Sequence, residues 1–125
     1  MVDNRIKQGE IYWIDLPEPK KSEPGFRRPC VVIQNDSFNR SKIKTTIVSI
    51  LTTNLRLAKA PGNVALKLNE ASLPRKSVVN VSQVLTVNKE DLLPSYRIGK
   101  LDESSIEKVI SGITLVIDRL KKTTL

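Results

Sequence analysis

The side chains with chemical reach in this sequence are arginines, hydroxyls and carboxylates. Arg27 and Arg28 stand directly before Pro29, Glu23 lies just upstream, and Thr52 and Thr53 close a run of β-branched residues. There is no histidine, which removes His-dependent triads, histidine metal sites and histidine acid–base pairs. The single cysteine, Cys30, excludes an internal disulfide and a structural zinc site. Followed by Val31, Val32 and Ile33, it reads as a small buried hydrophobe in a strand. The carboxylates are scattered, with no Asp-x-Asp or Glu-x-x-Glu cluster to hold Mg²⁺, and no glycine-rich phosphate loop is present. The inventory predicts neither a metal nor an organic cofactor, and most chains so equipped are binders rather than enzymes.

One reaction can still run on arginine, threonine and carboxylate. RNA supplies its own nucleophile, the 2′-OH beside the scissile phosphate. A protein must orient that hydroxyl, manage its proton, stabilise a doubly charged phosphorane and help the 5′-oxygen leave. A guanidinium suits the phosphorane, because its planar fork meets two phosphate oxygens at once and stays charged. A Thr or Ser hydroxyl adds a donor at the same oxygens. Charge points the same way: 21 Lys and Arg against 13 Asp and Glu give +8, an excess that favours polyanionic partners through phosphate contacts and counterion release. The basic residues gather at Lys20-Lys21, Arg27-Arg28, Arg40 to Lys44, Arg56 to Lys59 and Lys121-Lys122. No apolar run is long enough to span a bilayer, and the polar stretch Met1 to Glu10 lacks the apolar centre of a signal peptide. A cytoplasmic protein without membrane contact is expected.

The elements that must position these groups are mostly short strands. Ile11 to Leu16 follows Gly9 and is rich in strand formers; Pro17 and Pro19 end it. Glu18 to Arg27, with Pro24-Gly25, is loop chemistry. Cys30 to Gln34 reads as a strand, with its turn at Asn35-Asp36. Thr45 to Thr53 is the longest β-branched stretch and reads as a central strand. A basic loop closes at Pro61-Gly62-Asn63. Val64 to Leu68 is a further candidate strand, and Ser77 to Ser82 with Gln83 to Val87 makes a strand pair or one bent strand; Asn88 opens a short turn. Asp102 is a good N-cap, with Glu103 in the positive first turn. Ile106, Val109, Ile110, Ile113, Val116, Ile117 and Leu120 then share one helical face, core or dimer contact, while Arg119, Lys121 and Lys122 suit the negative end. Length and order predict a single domain over residues 1–125, mainly β within an α+β class: a small antiparallel sheet or barrel with a C-terminal amphipathic helix packed on it.

Four segments resemble a known family. Gly9-Glu10-Ile11-Tyr12-Trp13-Ile14-Asp15-Leu16 is similar to the opening strand of MazF/PemK-like toxins. Ser22-Glu23-Pro24-Gly25-Phe26-Arg27-Arg28-Pro29-Cys30-Val31-Val32-Ile33 resembles their Ser-Glu-Gln…Arg-Pro signature with the same interval. Ile47 to Thr52 is similar to the next family strand, which ends in a functional Thr or Ser, and Ser77 to Val84 to a later Ser…Gln block. The chain departs from the pattern at Lys21, where the family has Gly, and at Pro24, where it has Gln; both alter the loop that carries Glu23. The resemblance implies an SH3-like β-barrel, a homodimer, and metal-independent cleavage of single-stranded RNA at a short motif to 2′,3′-cyclic phosphate and 5′-OH ends. It further implies a cognate antitoxin whose acidic, flexible segment covers a basic RNA groove.

Carried onto this sequence, the resemblance makes Arg28 the catalytic arginine, Thr52 the hydroxyl and Glu23 the group that orients the site or accepts the 2′-OH proton. From the residues alone, Arg28 reads first as a surface arginine at a strand start, Glu23 is nearly as well an exposed loop carboxylate, and Thr53 competes with Thr52. Stabilisation of charge is the safer role for Arg28, since so weak an acid is a poor general base. Arg27, Phe26, Ser77, Asn80 and Gln83 are candidate RNA contacts: Arg27 as a phosphate anchor, Phe26 (with Trp13 and Phe38) for stacking on unpaired bases, and the amides for base edges or buried backbone. Trp13, inside a strand, also reads as core or dimer interface. A competing reading keeps the fold and drops the catalysis. The gyrase-poisoning toxin CcdB shares this architecture but needs a tryptophan near its C-terminus, where this chain has Lys121-Lys122-Thr123-Thr124-Leu125. A non-catalytic RNA-binding module is the third reading.

Overall fold

The computed structural model describes residues 5–120. Strand β1 (Glu10–Leu16) is followed by β2 (Phe26–Val32), the single-turn helix α1 (Asp36–Asn39), β3 (Thr45–Thr52), the two-residue β4 (Val64–Ala65), β5 (Val78–Asn88), β6 (Arg97–Lys100) and helix α2 (Glu103–Ile117). The strands form one sheet in the order β4-β5-β3-β2-β1-β6, every pairing antiparallel and the whole curled into a half-barrel. The mainly β architecture with a terminal helix is the one expected from the sequence.

The sheet is buried on both faces, which explains why its strands read as near-continuous apolar runs rather than strict alternations. Ile11, Val31, Leu51, Val79 and Val81 face α2 and pack with Val109 and Leu101. Tyr12, Ile14, Cys30, Val32, Val48 and Ile50 point the other way and pack with Ile6 and Leu92. Cys30 is a free, fully buried thiol, and burial pushes its pKa up to about 12. Helix α2 begins as its sequence predicts: the Asp102 carboxylate accepts from the Ser105 amide at 2.8 Å. The helix meets the sheet backbone to backbone. A Cβ on Gly112 would lie 2.0 Å from the Gly62 carbonyl oxygen, so only glycine allows this approach.

Several boundaries differ from the sequence reading. Strand β2 starts at Phe26 instead of Cys30 and includes Pro29. Proline is tolerated there because the ladder to β3 covers only Cys30 to Val32 while residues before it pair with β1 alone. Asn35-Asp36 is not a bare turn but the start of α1, with the Asn35 side chain accepting from the Ser37 amide. The strand expected over Val64 to Leu68 stops at Ala65, because the chain turns left-handed at Asn69, Ala71 and Ser72. Residues 78–88 form one strand with a slip: Ser49 pairs Val84 while Ile50 pairs Asn80, leaving Val81, Ser82 and Gln83 bulged out of the β3 ladder. Edge strand β6 was not anticipated. The helix stops at Ile117 with Asp118 as its C-cap, so Arg119 lies beyond the last turn and Leu120, 77% exposed, beyond the packed face. Lys121 and Lys122 fall outside the described residues.

Candidate functional site

Arg28 and Thr52 come from neighbouring strands that part just where they are needed. The last pair of the β2–β3 ladder on this side is Cys30 with Ile50. Continuing that register by one residue pairs Pro29 with Leu51, and by one more sets Arg28 opposite Thr52. Because side chains alternate, both project from the face that carries Cys30 and Ile50. The proline at 29 and the end of β3 at Thr52 open the sheet there, and two cavities flank the pair.

The larger cavity, about 400 Å³, is bordered by Trp13, Phe26, Arg28, Thr52, Leu73 and Arg75 among others. The smaller, about 170 Å³, is bordered by Glu23, Arg28, Thr52, Asn80 and Gln83. Arg28 and Thr52 border both, whereas Thr53 borders only the larger. All eight residues singled out from the sequence thus gather around one point: Glu23, Asn80 and Gln83 on one side, Phe26, Arg27 and Ser77 on the other, Arg28 and Thr52 between them. The bulge in β5 is what brings Gln83 to the same cavity as Asn80, since three residues there escape the ladder.

Local hydrogen bonds decide what each group has left to offer. Arg28 donates through Nε to the Gly25 carbonyl at 2.9 Å, which fixes the guanidinium by its inner nitrogen and leaves the terminal fork for a ligand. Thr52 Oγ1 accepts from the Asn54 amide at 3.1 Å, which leaves the hydroxyl proton to donate. Glu23 Oε1 accepts from the Lys21 amide at 2.7 Å, and the backbone amides of Glu23, Lys21 and Lys20 hold this exposed carboxyl below its ordinary pKa. Asn80 receives the Ser82 hydroxyl at its Oδ1. Ser77 is 2% exposed and donates to the Arg75 carbonyl at 2.8 Å, so its hydroxyl proton is already committed.

Arg27 is also committed. It pairs with Asp15 at 3.0 Å, its cross-strand neighbour, and its guanidinium lies 4.6 Å from the Tyr96 ring centroid and 5.3 Å from that of Trp13. The Asp15 hydrogen bond, chiefly, raises its pKa above the ordinary value. Trp13 is half-buried and faces the cavity instead of the core.

Two features of the loop between β1 and β2 were not legible as site features. Gly25 packs so tightly on the two prolines ahead of it that a Cβ would lie 2.2 Å from Pro19 Cδ and 2.8 Å from the Pro17 carbonyl oxygen. Phe26 sits at φ 60°, a left-handed conformation unusual for a bulky side chain, and is 61% exposed. Strain of this kind persists where surrounding structure enforces it, and it clusters at functional sites. Arg75, which borders the larger cavity, was missed as well, although Pro74-Arg75-Lys76 is a basic segment directly before Ser77. Among the described residues no group of three His, Cys, Asp or Glu side chains is placed to hold a metal ion, and no helix is long and apolar enough to cross a membrane.

Comparison with known proteins follows the same outline. Residues 7–117 match the family described as PemK-like, MazF-like toxin of type II toxin-antitoxin system. Endoribonuclease MazF2 of Mycobacterium bovis is 44% identical over 113 residues, covering 90% of this chain and 97% of that protein. Endoribonuclease EndoA of Bacillus subtilis is 36% identical over 110 residues, covering 88% and 92%. Among solved structures, MazF from Deinococcus radiodurans superposes with a TM-score of 0.72 at 18% identity, covering 92% and 98%. A mycobacterial endoribonuclease in complex with its cognate antitoxin gives 0.66 at 21%, covering 90% and 92%. The two structural likenesses concern the fold.

Proposed function

The chain belongs to the PemK-like, MazF-like toxin family of type II toxin–antitoxin systems, and we propose that it is the toxin of such a pair, a metal-independent endoribonuclease cutting single-stranded RNA. The observation that carries the catalytic part is the placement of Arg28 and Thr52 between two cavities, one bordered by a carboxylate and amides and the other by aromatic and basic groups. With its Nε held by Gly25, Arg28 offers two terminal nitrogens to two oxygens of the scissile phosphate and stabilises the charge that builds on them. Thr52 donates its hydroxyl proton to the same group. The 2′-oxygen bonds to phosphorus, its proton passes to Glu23, the bond from phosphorus to the 5′-oxygen breaks, and the leaving 5′-oxygen takes a proton from water, giving a 2′,3′-cyclic phosphate and a 5′-OH. Its lowered pKa keeps Glu23 ionised and ready at neutral pH, at the expense of basicity.

Asn80 and Gln83 read base edges in the smaller cavity, and exposed Phe26 stacks on an unpaired base. Ser77 shapes the floor of the larger cavity without donating to RNA, and Arg27 positions Trp13 and Tyr96 while adding positive charge. The chain acts as one domain, as a homodimer, on cytoplasmic RNA, and is silenced by a cognate antitoxin whose acidic segment competes for the same basic groove. The net charge of +8 suits both partners. The test is cleavage of a long single-stranded RNA in EDTA by wild type and Arg28→Ala. Discrete cuts ending in cyclic phosphate, lost in the variant, are expected; absence of cleavage by folded wild type across varied RNAs overturns the proposal.

A further inference from the structure

Ser49 interrupts the apolar run of β3 with a hydroxyl that is 0% exposed. It stands between Val31 on β2 and Val84 on β5, where a hydroxyl is costly unless it is hydrogen-bonded. Its bond goes to backbone: Ser49 Oγ donates to the Asn80 carbonyl at 2.9 Å. Across the same peptide bond, the Val81 amide donates to Asn63 Oδ1, also at 2.9 Å. One peptide plane of β5 is thus pinned at both polar ends by side chains from two other segments.

That plane opens the bulge. Between Ile50 and Ser49 the β3 strand advances by one residue while β5 runs from Asn80 to Val84. Three residues therefore lack a β3 partner, where an ordinary bulge has one extra. Backbone groups that leave a ladder must be satisfied elsewhere, and Ser49 and Asn63 meet that need at the point of departure. With the plane fixed, the direction of Asn80 before it and the path of Val81 to Gln83 after it are set together. Val81 enters the core facing α2, while Asn80 and Gln83 reach the smaller cavity beside Arg28 and Thr52. The Asn63 amide also donates to the Leu57 carbonyl at 2.9 Å, and Leu57 borders that same cavity. Ser49 and Asn63 border neither cavity beside Arg28, so whatever they contribute passes through the backbone they hold.

We propose that Ser49 is a positioning residue of the RNA-cleaving site, with Asn63 as its counterpart: it locks the β5 bulge so that Asn80 and Gln83 meet RNA beside Arg28 and Thr52. The inference rests on the ribonuclease reading above and adds a buried residue, outside the site, on which substrate binding depends. Ser49→Ala fits the available space and removes only the hydroxyl. In the free protein, amide hydrogen exchange at residues 81–83 is expected to speed up by about tenfold as the bulge opens locally. In cleavage of one defined RNA, KM is expected to rise by about tenfold, the effect of one or two neutral hydrogen bonds. With Arg28 and Thr52 untouched, kcat is expected to stay within about threefold of wild type. The same substitution placed in an Asn80→Ala, Gln83→Ala background is expected to leave KM unchanged, because the groups it positions are gone. A purely structural serine would lower Tm and leave the KM of the folded protein alone, and that result overturns the proposal. Unchanged exchange at residues 81–83 overturns it too, as does a KM effect that persists undiminished in the double-alanine background. Absence of cleavage by folded wild type sinks the nuclease reading, while the exchange comparison still decides whether Ser49 holds the bulge.

Discussion

Gly25→Ala separates positioning from folding more cleanly than removal of Arg28 itself. Gly25 lies outside the left-handed region, so alanine is acceptable to its backbone and the objection is purely one of space. The new Cβ would fall 2.2 Å from Pro19 Cδ, 2.7 Å from Pro19 Cγ and 2.8 Å from the Pro17 oxygen. Two proline rings cannot swing aside like a flexible side chain, so the Gly25 segment itself must retreat. Restoring ordinary contact needs a shift of about 1 Å, and displacements of that size near reacting groups cost on the order of 10²-fold in rate. The shift acts on the carbonyl that holds Arg28 Nε at 2.9 Å, so the loss is expected in kcat more than in KM. Overpacking of a core costs about 1–3 kcal/mol; Pro17 is exposed and Pro19 half-buried, which puts this site near the low end. Gly112→Ala is the control. Its Cβ would meet the Gly62 oxygen at 2.0 Å, and neither glycine borders the cavities beside Arg28, so it is expected to lower Tm while the protein that remains folded cleaves normally. The assay is single-turnover cleavage of one defined RNA, paired with thermal melting of each variant. If folded Gly25→Ala cleaves within about threefold of wild type, Arg28 is not held in place by the Gly25 carbonyl and the reasoning fails.

Other perturbations read other parts of the site. Phe26→Gly relieves a left-handed φ of 60° that costs roughly 1–2 kcal/mol for a residue with a Cβ; melting is expected to hold or rise while RNA affinity drops, and a clear loss of stability would refute the strain. Thr52→Val removes the hydroxyl at nearly constant shape and is expected to cut kcat, with about 1 kcal/mol lost because the Asn54 amide loses its acceptor. Thr53→Val is expected to leave kcat unchanged, and the opposite ranking would move the functional hydroxyl by one position. With no histidine and the buried Cys30 thiol pushed up to about 12, the chain has neither an imidazole nor an accessible thiol for acid–base work at neutral pH. Glu23, its pKa lowered by backbone amides, loses its charge only when pH falls below the ordinary glutamate range. The log of kcat/KM is therefore expected to be flat around neutral pH with an acid limb shifted downward. A rise of one log unit per pH unit would mean hydroxide, not Glu23, takes the proton.

What was legible in the sequence follows from where physics is local. The N-cap of α2, the apolar strands and the buried thiol depend on neighbours in the chain, and each can be read from residue type and spacing. The site residues were legible through motif resemblance, which names positions but not what they touch. Arg27 illustrates the difference: beside Arg28 it reads as a phosphate anchor, yet Asp15 opposite it and Tyr96 on a distant turn occupy its guanidinium. Neither partner is predictable from the Arg-Arg-Pro segment. The short edge strand β6 and the early end of β4 were illegible for a related reason. Their extent is set by left-handed residues at 69, 71 and 72 and by close approach of Gly99 to the Ala71 carbonyl, both consequences of tertiary packing.

The proposed metal-independent mechanism requires charge stabilisation from groups fixed before the substrate arrives. A mobile arginine would spend part of its binding energy on its own ordering, since such a side chain loses up to roughly 2 kcal/mol of rotamer entropy when fixed. The loop between β1 and β2 removes that cost in a chain of contacts: the two prolines restrain the backbone, Gly25 packs where no side chain fits, and its carbonyl takes the Arg28 Nε. The strained Phe26 lies between these two residues, so the turn that makes the carbonyl point at Arg28 is the same turn that exposes the aromatic ring. Pro24 extends this stiffness by one more residue. Rigidity here therefore serves Arg28 directly, and a loosened loop is expected to lose rate before it loses affinity for RNA.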